Sequence, residues 1–485
     1  MKSKTLLTVI LAIVLVSCAP ASISTPTETH ISIETLTSVP TETLTPVPPT
    51  PTITPIPPIE SLPETQKSVS EFISALQIAG INITAEKILQ QGLTIKDVTG
   101  VDGKKYRVAT TSDGYVLLVG TQNPKTGEWE WSGDTLKPIL NNILGVSVGT
   151  AVQTSEPYKS SIYQKTVIAN FGAIFPDGDF YQNTIDKWGT GKAEFNLNFA
   201  QKNGLTLFIH PGFNRYDQEY LENIQPAERL DKLKERARTI LSFVKKVDGD
   251  TQKPTYVTIF NEPFGRYING SGKDIASWKV ESLAQQTMGS DTLIETYIMF
   301  YEAAQEQGLE LGKDVFFQFS EYGINTDNPK YRMAIQEFTR AKIEIAKRLE
   351  IPVDEVKFGL ALEQRYDENN PLDLPDPNAG TGRVRPPTEQ ELETTTIEFL
   401  KIVDFVTFTE CSDNPATSEQ RQMRFNTLLQ VAKKLGVREI IFENPLRFTN
   451  EEPDMTYKGT ELFTPEYQKS IGYYFLVKNA FDLAK

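Results

Sequence analysis

Histidine and cysteine are scarce in this chain of 485 residues, with only two of each. Two cysteines cannot build a disulfide framework, and two histidines leave little for a zinc-type site. Positive charge is also in deficit. Lys and Arg number 49 against 63 Asp and Glu, a formal net charge of -14. Such a surface repels phosphate backbones, which argues against a nucleic-acid partner. Long apolar runs are missing beyond the N-terminus, which excludes a multi-span membrane protein. What is present is 39% hydrophobic and 23% charged residues, a mixture that buries a normal core. The length accommodates a (β/α) barrel, which takes about 250 residues or more as one domain.

Residues 1–63 do not read as fold. Lys2 and Lys4 precede a short apolar stretch from Thr5 to Val16, an export signal too short for a comfortable membrane span. Its end, Leu15-Val16-Ser17-Cys18, resembles a bacterial lipoprotein lipobox. That resemblance implies a signal peptide over 1–18, lipidation of Cys18 and a membrane anchor. The folded part would then lie outside the cytoplasm, on the cell surface or facing the periplasm, and Cys411 would be a free thiol. Residues 19–63 hold eleven of the 30 prolines among Thr, Ser and Val. Proline removes ladder donors and nothing here has a core-forming period, so a disordered Pro/Thr-rich linker is expected.

Residues 64–138 read as a small α+β module. Val69, Phe72, Ile73 and Leu76 share a helical face over Ser68–Ala79, and strand-like runs follow at 106–108, 115–120 and 128–132. Trp129 and Trp131 lie two apart on one strand face, either a sugar-stacking platform or a pair that is core or docks on a neighbouring domain; the second reading is preferred. From residue 139 to 485, short β-rich runs alternate with helical stretches. The runs are Gly145–Ala151, Val167–Phe175, Leu205–His210, Tyr256–Asn261, Val315–Glu321, Val356–Leu362, Val403–Thr409 and Glu439–Glu443. Helical faces run over Leu230–Val247 and Glu419–Leu435. This alternation predicts an α/β fold, a (β/α)8 TIM barrel.

In such a barrel the active site lies at the C-terminal ends of the strands. Those ends present Asp177, Asp179, His210, Asn261, Glu262, Glu321, Glu363, Glu410 and Glu443. Carboxylates gathered at one mouth raise one another's pKa, so the gathering points to chemistry. Two opposed carboxylates suit glycoside hydrolysis, one as acid on the leaving oxygen and one as nucleophile on the anomeric carbon. Glu262 and Glu410 close the fourth and seventh runs, on opposite parts of the rim.

The ordered motifs resemble glycoside hydrolase family 10, the endo-β-1,4-xylanases, over about 144–450. Asn203-Gly204-Leu205-Thr206-Leu207-Phe208-Ile209-His210 looks like the family's third strand, and Thr258-Ile259-Phe260-Asn261-Glu262-Pro263 is similar to its acid/base motif. Ser277-Trp278, Asp291-Thr292-Leu293-Ile294 and Phe317-Gln318-Phe319-Ser320-Glu321-Tyr322 follow in family order, and Thr407-Phe408-Thr409-Glu410-Cys411-Ser412-Asp413 resembles the nucleophile motif. The resemblance implies Glu262 as general acid/base and Glu410 as nucleophile. It implies substrate binding by Asp177, Asp179, His210, Asn261, Tyr322, Glu363 and Glu443, with Asn261 on a 2-hydroxyl. The expected partner is a polysaccharide or oligosaccharide bound by a monomer that needs no cofactor.

Departures accompany the match. Asp177-Gly178-Asp179-Phe180-Tyr181-Gln182 stands where the family has Glu-Asn-Glu-x-Lys-Trp, and Asn214-Arg215 lie near a missing second histidine. Glu363 falls where the family has Gln-x-His, and Glu443 where it has a subsite Trp. A carboxylate at 363 repels an ionised Glu410 unless it is protonated or pairs with Arg365 or Arg447. Three readings follow: a retaining β-glycosidase, a tethered carbohydrate-binding protein with a degenerate barrel, and a metal-dependent hydrolase using Asp177, Asp179, His210, Glu363 and Glu443.

Overall fold

A computed structural model describes residues 58–153, 160–214, 218–247, 252–264, 283–367, 385–414, 418–443, 462–464 and 467–484. The export signal, Cys18 and most of the linker lie outside these residues, as do Ser277, Trp278 and Arg447. Among the described residues no helix is long and apolar enough to cross a membrane.

Eight parallel strands close a barrel: β5 (Ser147–Gln153), β6 (Ala173–Asp177), β7 (Thr206–Ile209), β9 (Thr255–Asn261), β10 (Val315–Tyr322), β11 (Gly359–Asp367), β12 (Phe405–Asn414) and β13 (Glu439–Phe442). Pairing of β13 with β5 and of β9 with β10 leaves the ring no open edge. A two-residue strand β8 (Phe213–Asn214) extends the ring beside the end of β9. The second sequence run is corrected by the structure. Ser161–Asn170 is a helix, and the strand begins only at Ala173. Ser160 caps that helix by accepting from the Tyr163 N–H, so a cap outweighs a β-branched run.

Alternation along each strand puts every second side chain inside the barrel. The interior is layered by chemistry. At the lower end Phe175, Phe208, Tyr256, Phe405 and Ile441 form an apolar cluster. Phe208 stacks on Tyr256 at 4.6 Å, and Tyr256 on Phe316 at 5.1 Å. Gly359 admits the Phe405 ring, since a Cβ there would fall 2.2 Å from it. Above lies a polar layer in which the Thr407 hydroxyl donates to Gln318 Oε1 at 3.0 Å and Gln318 Nε2 donates to Thr258 at 3.1 Å. The ionisable groups come next, at the strands' C-terminal ends.

Ahead of the barrel stands an antiparallel meander of β1 (Thr94–Thr99), β2 (Lys105–Thr110), β3 (Val116–Gln122) and β4 (Trp129–Ser132), covered by a helix over Pro63–Ile78. Residues assigned to the linker take part, since Ile59 is buried and its carbonyl accepts from the Thr65 hydroxyl. Trp129 carries the Arg107 guanidinium at 4.4 Å, and Trp131 lies against Gly120. The helix over Ile471–Ala484 ties this module to the barrel. Its Tyr474 meets Phe72 at 4.8 Å, and the Tyr473 hydroxyl accepts the N–H groups of Thr135 and Leu136.

Candidate active site

Glu262 follows β9 and Glu410 lies within β12, and both are buried. Each has a left-handed backbone, with φ of 51° and 48°. A non-glycine residue held there costs about 1–3 kcal/mol and persists only where its surroundings enforce it. At Glu410 the register between β11 and β12 shifts, with Glu363 opposite Thr409 but Arg365 opposite Ser412. The extra residue is a bulge that re-aims the glutamate. At Glu262 the N–H donates to the Ser320 carbonyl at 2.8 Å. The Phe264 N–H donates to Glu321 Oε2 at 2.8 Å, and Gln285 Nε2 donates to the Pro263 carbonyl at 2.6 Å. Three anchors from other elements thus fix the turn that carries Glu262.

Arg365 is the hub. Its Nη1 lies 3.4 Å from Glu262 Oε1, its Nε 3.4 Å from Glu363 Oε2, and its Nη2 pairs with Glu410 Oε2. Burial disfavours its charge, but Glu363, Glu262 and Glu443 outweigh that and hold it firmly protonated. Glu363 is itself fixed, accepting from the Ser320 hydroxyl at 2.9 Å while its carbonyl accepts from Asn325 at 3.0 Å. Burial pushes its carboxyl up to about 8, with Glu262 and Glu321 adding and Arg365 opposing. His210 Nε2 lies 3.5 Å from Glu410 Oε1, and the ring packs on Phe175 at 4.6 Å. Burial, and then Arg365, pulls the imidazole down to about 3, so it is neutral and can donate only one hydrogen.

The remaining predicted residues divide. Asn261 is buried beside Glu262, its Oδ1 without a hydrogen-bond partner among the described residues. Tyr322 is buried near Arg365, and Lys330 Nζ sits 3.7 Å from its ring centroid. Glu443 is half-buried just past β13 and feels Arg365. Glu321 makes a buried ion pair with Lys330 at 2.6 Å and acts on the Glu262 turn through Phe264. Asp179 is turned away from this group, accepting from Asn196 Nδ2 at 2.8 Å in the helix layer. Gly178, with φ of 78°, makes the turn that sends it there. Asp177 ends β6, and its side chain lies outside the described part, as do those of Asn214 and Asp413. With Asp179 facing Asn196 and Glu363 facing Arg365, these two do not converge on one ion, and no acidic, His or Cys cluster among the described residues has metal-site geometry. Cys411 is a buried free thiol.

Arg365 is the residue that sequence reasoning undervalued, as a mere partner for Glu363. The signal was available, because residues two apart on a strand share a face. The structure sets Arg365, not Glu363, directly against Glu410.

No family model matches the chain, and no curated protein matches it in sequence. Solved structures do match in fold. The native xylanase 10B from Thermotoga maritima superimposes with a TM-score of 0.54 at 16% identity, covering 72% of this chain and 99% of that one. A GH10 endoxylanase from a sugarcane soil metagenome gives 0.54 at 14% identity, covering 73% and 100%. The endo-beta-1,4-xylanase from Gloeophyllum trabeum gives 0.53 at 13%, covering 72% and 99%. The barrel of this chain therefore has the fold of the glycoside hydrolase family 10 xylanases.

Proposed function

We propose that this protein hydrolyses β-glycosidic bonds of a polysaccharide with retention of configuration. One observation carries the reading: Glu262 and Glu410, from separate strands of a xylanase-like barrel, converge on a single guanidinium while both hold a left-handed backbone. Glu410 attacks the anomeric carbon as Glu262 protonates the leaving oxygen. Glu262 then takes a proton from water, which hydrolyses the glycosyl-enzyme. Asn261 and neutral His210 stand beside the pair and would grip sugar hydroxyls. An endo-β-1,4-xylanase-like activity is the starting expectation, but Gly178 and Tyr181 stand where the related motif has its Asn and Lys, and Glu443 where it has a Trp, which favours another β-glycan. The N-terminal signal and Cys18 motif support a lipid-anchored, extracytoplasmic location; incorporation of radiolabelled palmitate, lost in Cys18→Ser, tests that part.

The test is hydrolysis of aryl β-glycosides (xyloside, xylobioside, cellobioside, glucoside) by residues 58–485 beside Glu410→Ala. Turnover that disappears in the variant, and returns with azide as a glycosyl azide, supports the reading. Glu262→Gln should spare activated aryl glycosides while losing natural substrates, and equal loss on both contradicts the acid role.

A binding protein without turnover is the second reading. It is favoured by the position of the Arg365 guanidinium, which fills the gap between Glu262 and Glu410 where a glycosidic bond must lie. Glycan binding by a protein inert on the whole panel would establish it.

A further inference from the structure

We propose that Arg365 is a positioning residue of the catalytic pair: anchored by Glu363, it bridges Glu262 and Glu410 at rest, holds Glu410 charged for attack, and lets go of Glu262 when the glycosidic oxygen arrives. This rests on the hydrolase reading and adds to it a group that moves during the cycle.

The geometry separates the two contacts. A glycosidic bond must lie between the two carboxyl groups, and the guanidinium now spans that gap. The arm to Glu262 is long at 3.4 Å, and hydrogen bonds weaken steeply toward that length. The arm to Glu410 comes from the other terminal nitrogen, Nη2. Release of Glu262 therefore leaves the nucleophile contact in place. At 28% the side chain is the more exposed member of the group, against 2% for Glu262, 0% for Glu363 and 9% for Glu410. Its base does not move, because Ser320 and Asn325 fix Glu363.

The groups facing the guanidinium come from six elements: His210 after β7, Glu262 after β9, Tyr322 on β10, Glu363 on β11, Glu410 on β12 and Glu443 after β13. Four are carboxyl groups gathered round the one guanidinium. Its removal should be felt at Glu410, the carboxyl paired with Nη2, and an opposite charge at this range is worth about 1–3 pH units of titration.

The experiment compares wild type with R365Q and R365K by the pH profile of kcat/KM on an activated aryl glycoside. Infrared difference titration of the carboxyl stretch, assigned with E262Q and E410Q, runs in parallel and needs no turnover. R365Q should move the low-pH limb of the profile, on which Glu410 ionises, to higher pH by about one unit or more. R365K keeps the charge without the fork, so it should restore that limb. A R365Q profile lying on that of wild type, with unchanged carboxyl bands, overturns the proposal. If R365Q does not fold, the wild-type carboxyl band that E410Q removes must titrate below the ordinary glutamate range, and a band at or above that range overturns it equally. A wild type that never turns over, yet shows displaced carboxyl bands in R365Q, would sink the hydrolase reading and with it the release step, while the guanidinium's hold on the two carboxyls would stand.

Discussion

The two ends of the barrel are made from the same eight strands and are built on opposite principles. The lower end packs aromatic rings against one another, with Phe208, Tyr256, Phe316 and Phe405 in mutual contact. The upper end holds buried carboxyl groups, one guanidinium and two glutamates in a backbone region that favours glycine. Apolar burial near the floor contributes stability, and the mouth holds groups whose burial opposes it. A barrel can carry a poorly stabilised site because strain at one end is offset at the other.

The sharpest way to break this contrast is to remove one residue from each end. Glu410→Ala should bring turnover to background while leaving thermal stability close to wild type. Phe208→Ala should do the reverse, lowering unfolding free energy by about 3–5 kcal/mol in urea with activity per folded molecule retained. If the floor substitution spared stability, the division of labour would fail. Lys330→Met tests whether the mouth has a structural element of its own. It leaves Glu321 buried without its cation, so a loss of about 3–5 kcal/mol is expected, together with slower turnover as the Glu262 turn loosens.

Subtler effects follow from pH and backbone. Glu363 is raised from 4.5 to about 8 by burial, so the folded state binds a proton more tightly than the unfolded chain. Its contribution is complete below about 4.5 and is lost as pH rises through about 8. Glu439 behaves likewise at the lower end, burial raising it to about 7. Urea midpoints of wild type should therefore fall across this window. Glu363→Gln should flatten the decline up to about 8, and Glu439→Gln only the part up to about 7. Identical curves for both variants would show that one coupled system spans the barrel. The smallest effect should separate Glu410→Gly from Glu410→Ala. Both lack the carboxyl group, but alanine keeps the left-handed penalty, so glycine should melt higher by about 1 kcal/mol.

Much of the barrel is legible in the sequence because buried parallel strands are short β-rich runs separated by amphipathic helices. Val167–Phe175 misleads because Val167 and Ile168 belong to a helix capped by Ser160. β1 goes unread because Thr94–Thr99 is exposed on both faces, leaving no alternation to detect. At the site, the strand-end acids are visible from position alone. Asp179 reads as one of them, yet the turn at Gly178 directs it to Asn196. The reach of Arg365 across three carboxyl groups depends on a bulge at Glu410, which no local pattern announces.

The tie between the module and the helix over Ile471–Ala484 bears on the order in which the fold is completed. Thr135 and Tyr473 are hydrogen-bonded at 338 positions' separation. The meander and its helix are built from near neighbours in the chain, but their docking surface needs a helix that lies beyond the whole barrel in sequence. Until then Phe72 and Tyr115 lack the Tyr474 and Phe475 rings that meet them in the finished protein. The module must therefore wait as an unfinished half of an interface, and the arrival of one late helix closes module and barrel in a single step.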